Sequence, residues 1–147
     1  MGSDKSIDSF IKAHLKRIQP GDYFAINAYI DREDKDERLL HVLRSQVQQH
    51  LRVATTVGFG PRFLHSTGQL HKGGPNSGVF LQITSDDNED VAIPGEKFSF
   101  GVLKQAQSLG DFLALSNRNR RILRVHLPAY VPAGIARLQK AFEMALV

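Results

Sequence analysis

The chain has 147 residues, no cysteine, 41% hydrophobic and 23% charged residues, and a formal net charge of +4. That balance suits one soluble globular domain with its own core and excludes disulfide staples and thiolate metal sites. Its apolar stretches fall short of the roughly 20 residues that cross a bilayer, and no apolar signal region opens it, so a cytoplasmic protein away from the membrane is expected. The sequence pI near 9.6 permits an anionic partner without choosing one.

In chain order, Ile7, Phe10, Ile11, Leu15 and Ile18 stand at helical spacing before Pro20-Gly21, which predicts a leading helix over 6–18. Residues 23–30 are short, aromatic and β-branched, the pattern of a strand buried on both faces. Asp34 or Asp36 is placed to cap a helix that runs to about Leu51, with Leu39, Leu40, Val42, Leu43, Val47 and Leu51 marking its apolar side. A second strand is expected over 53–59, a third over 78–84 and a fourth, at an edge, over 121–127. The longest helix is expected over 98–115, with Phe100, Leu103, Ala106, Leu109, Phe112 and Leu113 as its apolar pattern and Gly110 tolerated at some cost. A closing helix over 131–146 carries Pro132 in its first turn. Alternating strands and helices predict an α/β fold, a mostly parallel sheet of about four strands with helices on both faces. One domain is expected over 1–147, a leading helix to residue 20 and a core from 21 onward.

Between the second and third strands, residues 59–78 concentrate glycine, proline, hydroxyls, two histidines and two cations. Glycine and proline let a backbone approach a ligand and fix its path. Arg62, Ser66, Thr67 and Lys72 favour an anion, phosphate first, and the stretch around Ser66–Leu70 reads as a short helix whose start could present amides. His71 is the candidate acid or base, because imidazole titrates near neutrality. His65 lies six residues away, but no carboxylate stands in the loop and the spacing fits no standard metal site, so no metal is expected. The loop leaves the carboxyl end of a strand, where parallel sheets bind ligands.

Cations gather at Lys12, Lys16 and Arg17 and again at Arg118, Arg120, Arg121 and Arg124, which reads as solvated faces. No stacking aromatics are interleaved with them, so nucleic acid is not the expected partner.

The segment Gln69-Leu70-His71-Lys72-Gly73-Gly74, followed by Val79-Phe80-Leu81-Gln82-Ile83, a long helix and Arg120-Arg121 leading into a strand, resembles the C-terminal part of glucose-6-phosphate isomerase. It is most similar to the isomerase half of bifunctional transaldolase/glucose-6-phosphate isomerase chains, over about residues 21–146. The resemblance implies a flavodoxin-like sugar-isomerase (SIS) domain of glycolysis and gluconeogenesis that interconverts glucose 6-phosphate and fructose 6-phosphate without a cofactor. It gives His71 the opening of the sugar ring, and the polar residues Arg62, Ser66, Thr67, Gln69 and Lys72 of the same loop are then expected around the sugar phosphate. It also implies an active site shared with a complementary isomerase domain or with a second copy. The family's catalytic glutamate falls in an earlier segment that has no counterpart here, and Gly74 stands where many relatives have threonine. A binding or assembly module that keeps the sugar-phosphate loop without turnover is therefore the alternative expectation.

Overall fold

The computed structural model describes residues 6–65, 67–87 and 90–147, and the side chains of Leu64 and His65 also fall outside the description. The elements follow in the order α1 (Ile7–Leu15), β1 (Tyr23–Tyr29), α2 (Asp34–Leu51), β2 (Ala54–Phe59), a 3-10 turn (Arg62–His65), α3 (Thr67–Gly73), β3 (Gly78–Ser85), α4 (Phe100–Asn117), β4 (Arg121–Leu127) and α5 (Val131–Ala145). The strands form one four-stranded sheet in the order β2-β1-β3-β4. All three pairings are parallel, with Tyr23 opposite both Ala54 and Gly78, and Gln82 opposite Arg124.

Strand alternation gives the sheet two unlike faces. On the first, Phe24, Ile26 and Ala28 of β1, with Ile30 just after it, join Val79, Leu81 and Ile83 of β3 in one apolar cluster. Leu40, Leu43 and Val47 of α2, Ile11 and Leu15 of α1, and Ile135, Leu138 and Phe142 of α5 complete it. This is the core, and it carries most of the hydrophobic stabilisation, because burial of each such side chain is worth about 1.5–3 kcal/mol. The second face lies under α3 and α4, and among the described residues its buried apolar cluster is Ala25, Phe80 and Leu115, with Tyr23 and Ile122 against it.

Two local expectations shift. The N-cap of α2 is Glu33, whose side chain makes no capping bond, so neither Asp34 nor Asp36 caps it. Asp36 is instead buried in the first turn. Helix α4 starts at Phe100 behind a true cap, Ser99, whose hydroxyl accepts from the Val102 amide at 3.2 Å.

The larger difference is the orientation of α4. The residues it buries are Gly101, Ser108, Asp111 and Leu115, while Phe100, Leu109 and Leu113 of the expected apolar pattern are exposed. Lys104, Ser108, Asp111 and Leu115 recur at intervals of three and four, so they form a helical stripe as regular as the apolar one. The sheet beneath offers Asn27, Gln82 and Thr84, and a polar stripe satisfies such a surface better than leucines would.

Candidate functional site

The second sheet face holds an unusual density of buried polar atoms without a well-directed hydrogen-bond partner. They include Asn27 Nδ2, Tyr29 Oη, His71 Nδ1, Gln82 Oε1 and both carboxylate oxygens of Asp111. Well over nine in ten buried polar groups in native proteins are paired, so such a concentration marks a surface with hydrogen-bonding capacity to offer. Gln82 is partly satisfied, its Nε2 donating to the Ser108 carbonyl at 2.8 Å, and this bond ties β3 to α4.

His71 projects from α3 onto this face and is only 5% exposed. Its ring lies 4.8 Å from that of Phe80, 6.0 Å from Tyr23 and 6.3 Å from Phe63, measured between centroids. Burial lowers its pKa, the Asp111 carboxylate works against that fall, and the Lys72 ammonium adds to it. The imidazole is therefore neutral at physiological pH, with Nδ1 uncommitted.

Next to it, Lys72 Nζ approaches Asp111 Oδ1 to 2.8 Å, with side chains 22% and 2% exposed. The contact compensates the buried charge without the geometry of a directed hydrogen bond. Tyr29 at the end of β1 stands beside the same carboxylate. Burial first, and Asp111 second, push its phenol pKa well up, so it stays protonated. A neutral imidazole, a protonated phenol and a compensated carboxylate are thus assembled from α3, β1 and α4.

Rigid supports hold α3 in place. Arg118 Nη1 donates to the Lys72 carbonyl at 2.8 Å, and Arg120 Nη2 donates to the Lys72 and Gly74 carbonyls at 3.1 and 2.6 Å. These guanidiniums take up carbonyls that the end of a helix leaves open, and their charge suits its C-terminal dipole. Arg121 Nη1 pairs with Asp22 Oδ2 at 2.6 Å and Nη2 donates to the Asn76 carbonyl. The basic run expected as a solvated face is thus largely engaged in pinning the loop that carries His71. At the other end of the loop, a Cβ at Gly60 would stand 2.5 Å from the Tyr29 ring, so only glycine allows the chain to pass.

The residues expected to share one site are only partly brought together. His71 and Lys72 meet in the buried cluster. Arg62 lines a separate cleft with Arg32, Glu37, His41 and Phe59, and Phe63 borders both this cleft and His71. Thr67 and Gln69 are exposed, and Ser66 lies outside the described residues. The reason is the path of the crossover: it leaves the carboxyl end of β2 but must return to the amino end of β3, so α3 runs back across the sheet. His71 consequently lies against Tyr23 and Phe80, near the strand starts, rather than beyond the carboxyl ends. Helix α3 has seven residues, and no anion site at its start is read from it.

Sequence reasoning missed Asp111, Tyr29, Asn27 and Gln82. The signal for Asp111 was a carboxylate one helical turn from Ser108 and Leu115. Among the described residues no group of three or more potential ligands could hold a metal ion. No described helix is long and apolar enough to cross a membrane.

No protein-family model matches the sequence, and no curated protein matches it closely. The structure is similar to that of hypothetical protein TT0462 from Thermus thermophilus, with a TM-score of 0.77 at 19% identity over 96% of this chain. At that identity the likeness shows the fold: an α/β parallel sheet with helices on both faces. This chain spans 38% of the length of that protein.

Proposed function

We propose that this chain is the sugar-isomerase domain of a glucose-6-phosphate isomerase-type protein and contributes His71 to interconversion of glucose 6-phosphate and fructose 6-phosphate. The observation that carries the reading is a neutral His71 with Nδ1 unpartnered, in the motif that resembles the family's and beside the Lys72–Asp111 pair. An imidazole of this kind can relay the ring-oxygen proton when the sugar opens. Lys72 is placed to favour the negative charge that develops on oxygen. The base that moves the proton between C1 and C2 comes from a complementary domain. The exposed apolar residues of α4, including Val102, Leu109 and Leu113, support such a partner, because patches of this kind commonly serve association.

One observation favours a second reading, a sugar-phosphate-binding or assembly module without turnover: the His71 ring is enclosed by Tyr23, Phe63 and Phe80. One experiment separates the two. The chain is combined with an upstream isomerase segment, and fructose 6-phosphate conversion and binding are measured for the native protein and for His71→Gln. Restored turnover that falls about 100-fold or more in His71→Gln supports the isomerase reading. Binding without turnover supports the module, and absence of both rejects each.

A further inference from the structure

The carboxyl halves of β3 and β4 carry a second polar cluster, separate from His71. Thr84 Oγ1 lies 2.8 Å from His126 Nδ1, and His126 Nε2 lies 3.0 Å from Asp86 Oδ1. A carboxylate only accepts, so Nε2 carries the hydrogen, and in the neutral ring Nδ1 receives the Thr84 hydroxyl hydrogen. The imidazole is thereby oriented from both sides.

This cluster borders a cavity of about 350 Å³ between α4 and the two strands, with Tyr29, Thr84, Lys104, Ser108, Arg124 and His126 in its walls. No carboxylate lines it among the described residues. The two cations differ in their commitments. Lys104 pairs with Asp87 and lies 3.9 Å from Asp31. The side chain of Arg124, half-buried opposite Gln82 in the strand register, has no ion pair or hydrogen bond among the described residues. An uncommitted guanidinium at the wall of a cavity without carboxylates offers an anion donors that no group of the protein has taken. Val102 and Leu109 of α4 supply an apolar wall. The volume and the mixture of apolar walls with a few polar groups are those of small-molecule sites, and the position, at the carboxyl ends of parallel strands, is where such sheets bind ligands.

We infer that this cavity binds a small organic anion, a phosphate or carboxylate head on a short carbon skeleton, with Arg124 clasping the head beside Thr84, Ser108 and His126. The site does not depend on the isomerase reading, because none of its residues is assigned to ring opening. Planar, two-pronged donation suits Arg124 to either head group.

The test is titration of the intact chain at pH 7 and low ionic strength with inorganic phosphate, citrate and fructose 6-phosphate, followed by amide and imidazole chemical shifts. The expected result is saturable binding of at least one organic anion below about 1 mM, with shifts centred on Thr84, Ser108 and His126. Arg124→Gln weakens it about tenfold or more, Arg124→Lys weakens it less, and the exposed Lys140→Gln leaves it unchanged. Should Arg124→Gln fail to fold, Arg124→Met, which keeps the apolar stem, carries the same test with an expected loss of affinity. Equal weakening by Lys140→Gln would reveal general charge attraction and overturn the site. So would binding indifferent to Arg124, response to inorganic phosphate with no organic anion binding, or no saturable shift up to about 10 mM.

Discussion

Replacing Asp111 by asparagine tests whether the Lys72–Asp111 pair organises the buried cluster. At 2.8 Å and an effective dielectric of about 20, two unit charges attract by about 6 kcal/mol. Desolvation offsets much of that, and breaking a buried pair from one side costs about 3–5 kcal/mol. Lys72 keeps 22% of its side chain exposed and can turn toward water, which places the expected loss at the low end, about 3 kcal/mol. For a chain of this size that is roughly a 9 °C fall in Tm, measured by urea and thermal unfolding at pH 7. A second readout is specific to the cluster: the Asp111 charge raises the His71 pKa against the effect of burial, so removing it moves His71 titration to lower pH, visible in imidazole nitrogen shifts. A stability loss below about 1 kcal/mol together with an unmoved His71 titration would show that the pair is solvated, and the account of the cluster would fail.

Two further outcomes follow from the same packing. Burial lowers the His14 pKa from 6.5 to about 4, against the opposing effect of its 2.8 Å contact with the Phe80 carbonyl; a folded pKa below the unfolded one means that its contribution is complete above pH 6.5 and drains away as pH falls toward 4. The native protein should therefore lose about 2.5 kcal/mol more than His14→Gln between pH 7 and pH 4.5 in urea titrations, and parallel losses in the two proteins would refute it. Gly60→Ala drives a methyl group to 2.5 Å from the Tyr29 ring and should cost about 1–3 kcal/mol by overpacking, whereas an unchanged Tm would show that the ring yields freely.

The strands and helices were legible because their periods are local properties of the chain: the short aromatic and aliphatic run of β1, the 3.6-residue stripe of α2 and the Pro132 start of α5 needed no tertiary knowledge. The orientation of α4 was not legible. Its sequence carries two stripes, one apolar through Leu109 and Leu113 and one polar through Lys104, Ser108 and Asp111, and hydrophobicity alone selects the first. What selects the second is the sheet face beneath, whose polarity emerges only when the register sets Asn27, Gln82 and Arg124 side by side. The candidate site divided in the same way. His71 and Lys72 stood out by chemistry within one loop. Asp111, Tyr29 and the pinning arginines come from elements that only the fold brings to them, Arg120 reaching a carbonyl 48 residues away.

The two polar clusters share one wall, and that wall explains why this face is built poorly for stability. Tyr29 borders the Arg124 cavity on one side and the Asp111 carboxylate on the other. Helix α4 covers both while burying a single large apolar side chain, Leu115, so its hold on the sheet rests on polar contacts such as Gln82 to Ser108. Polar contacts yield little net stability because water competes for each group, and α4 should therefore open at lower free energy than α2 or α5, whose faces are apolar. An anion or a complementary domain that engages this face repairs the deficit by binding the folded state alone. On the proposed anion site, occupancy would reach Asp111 through Tyr29, which borders both clusters.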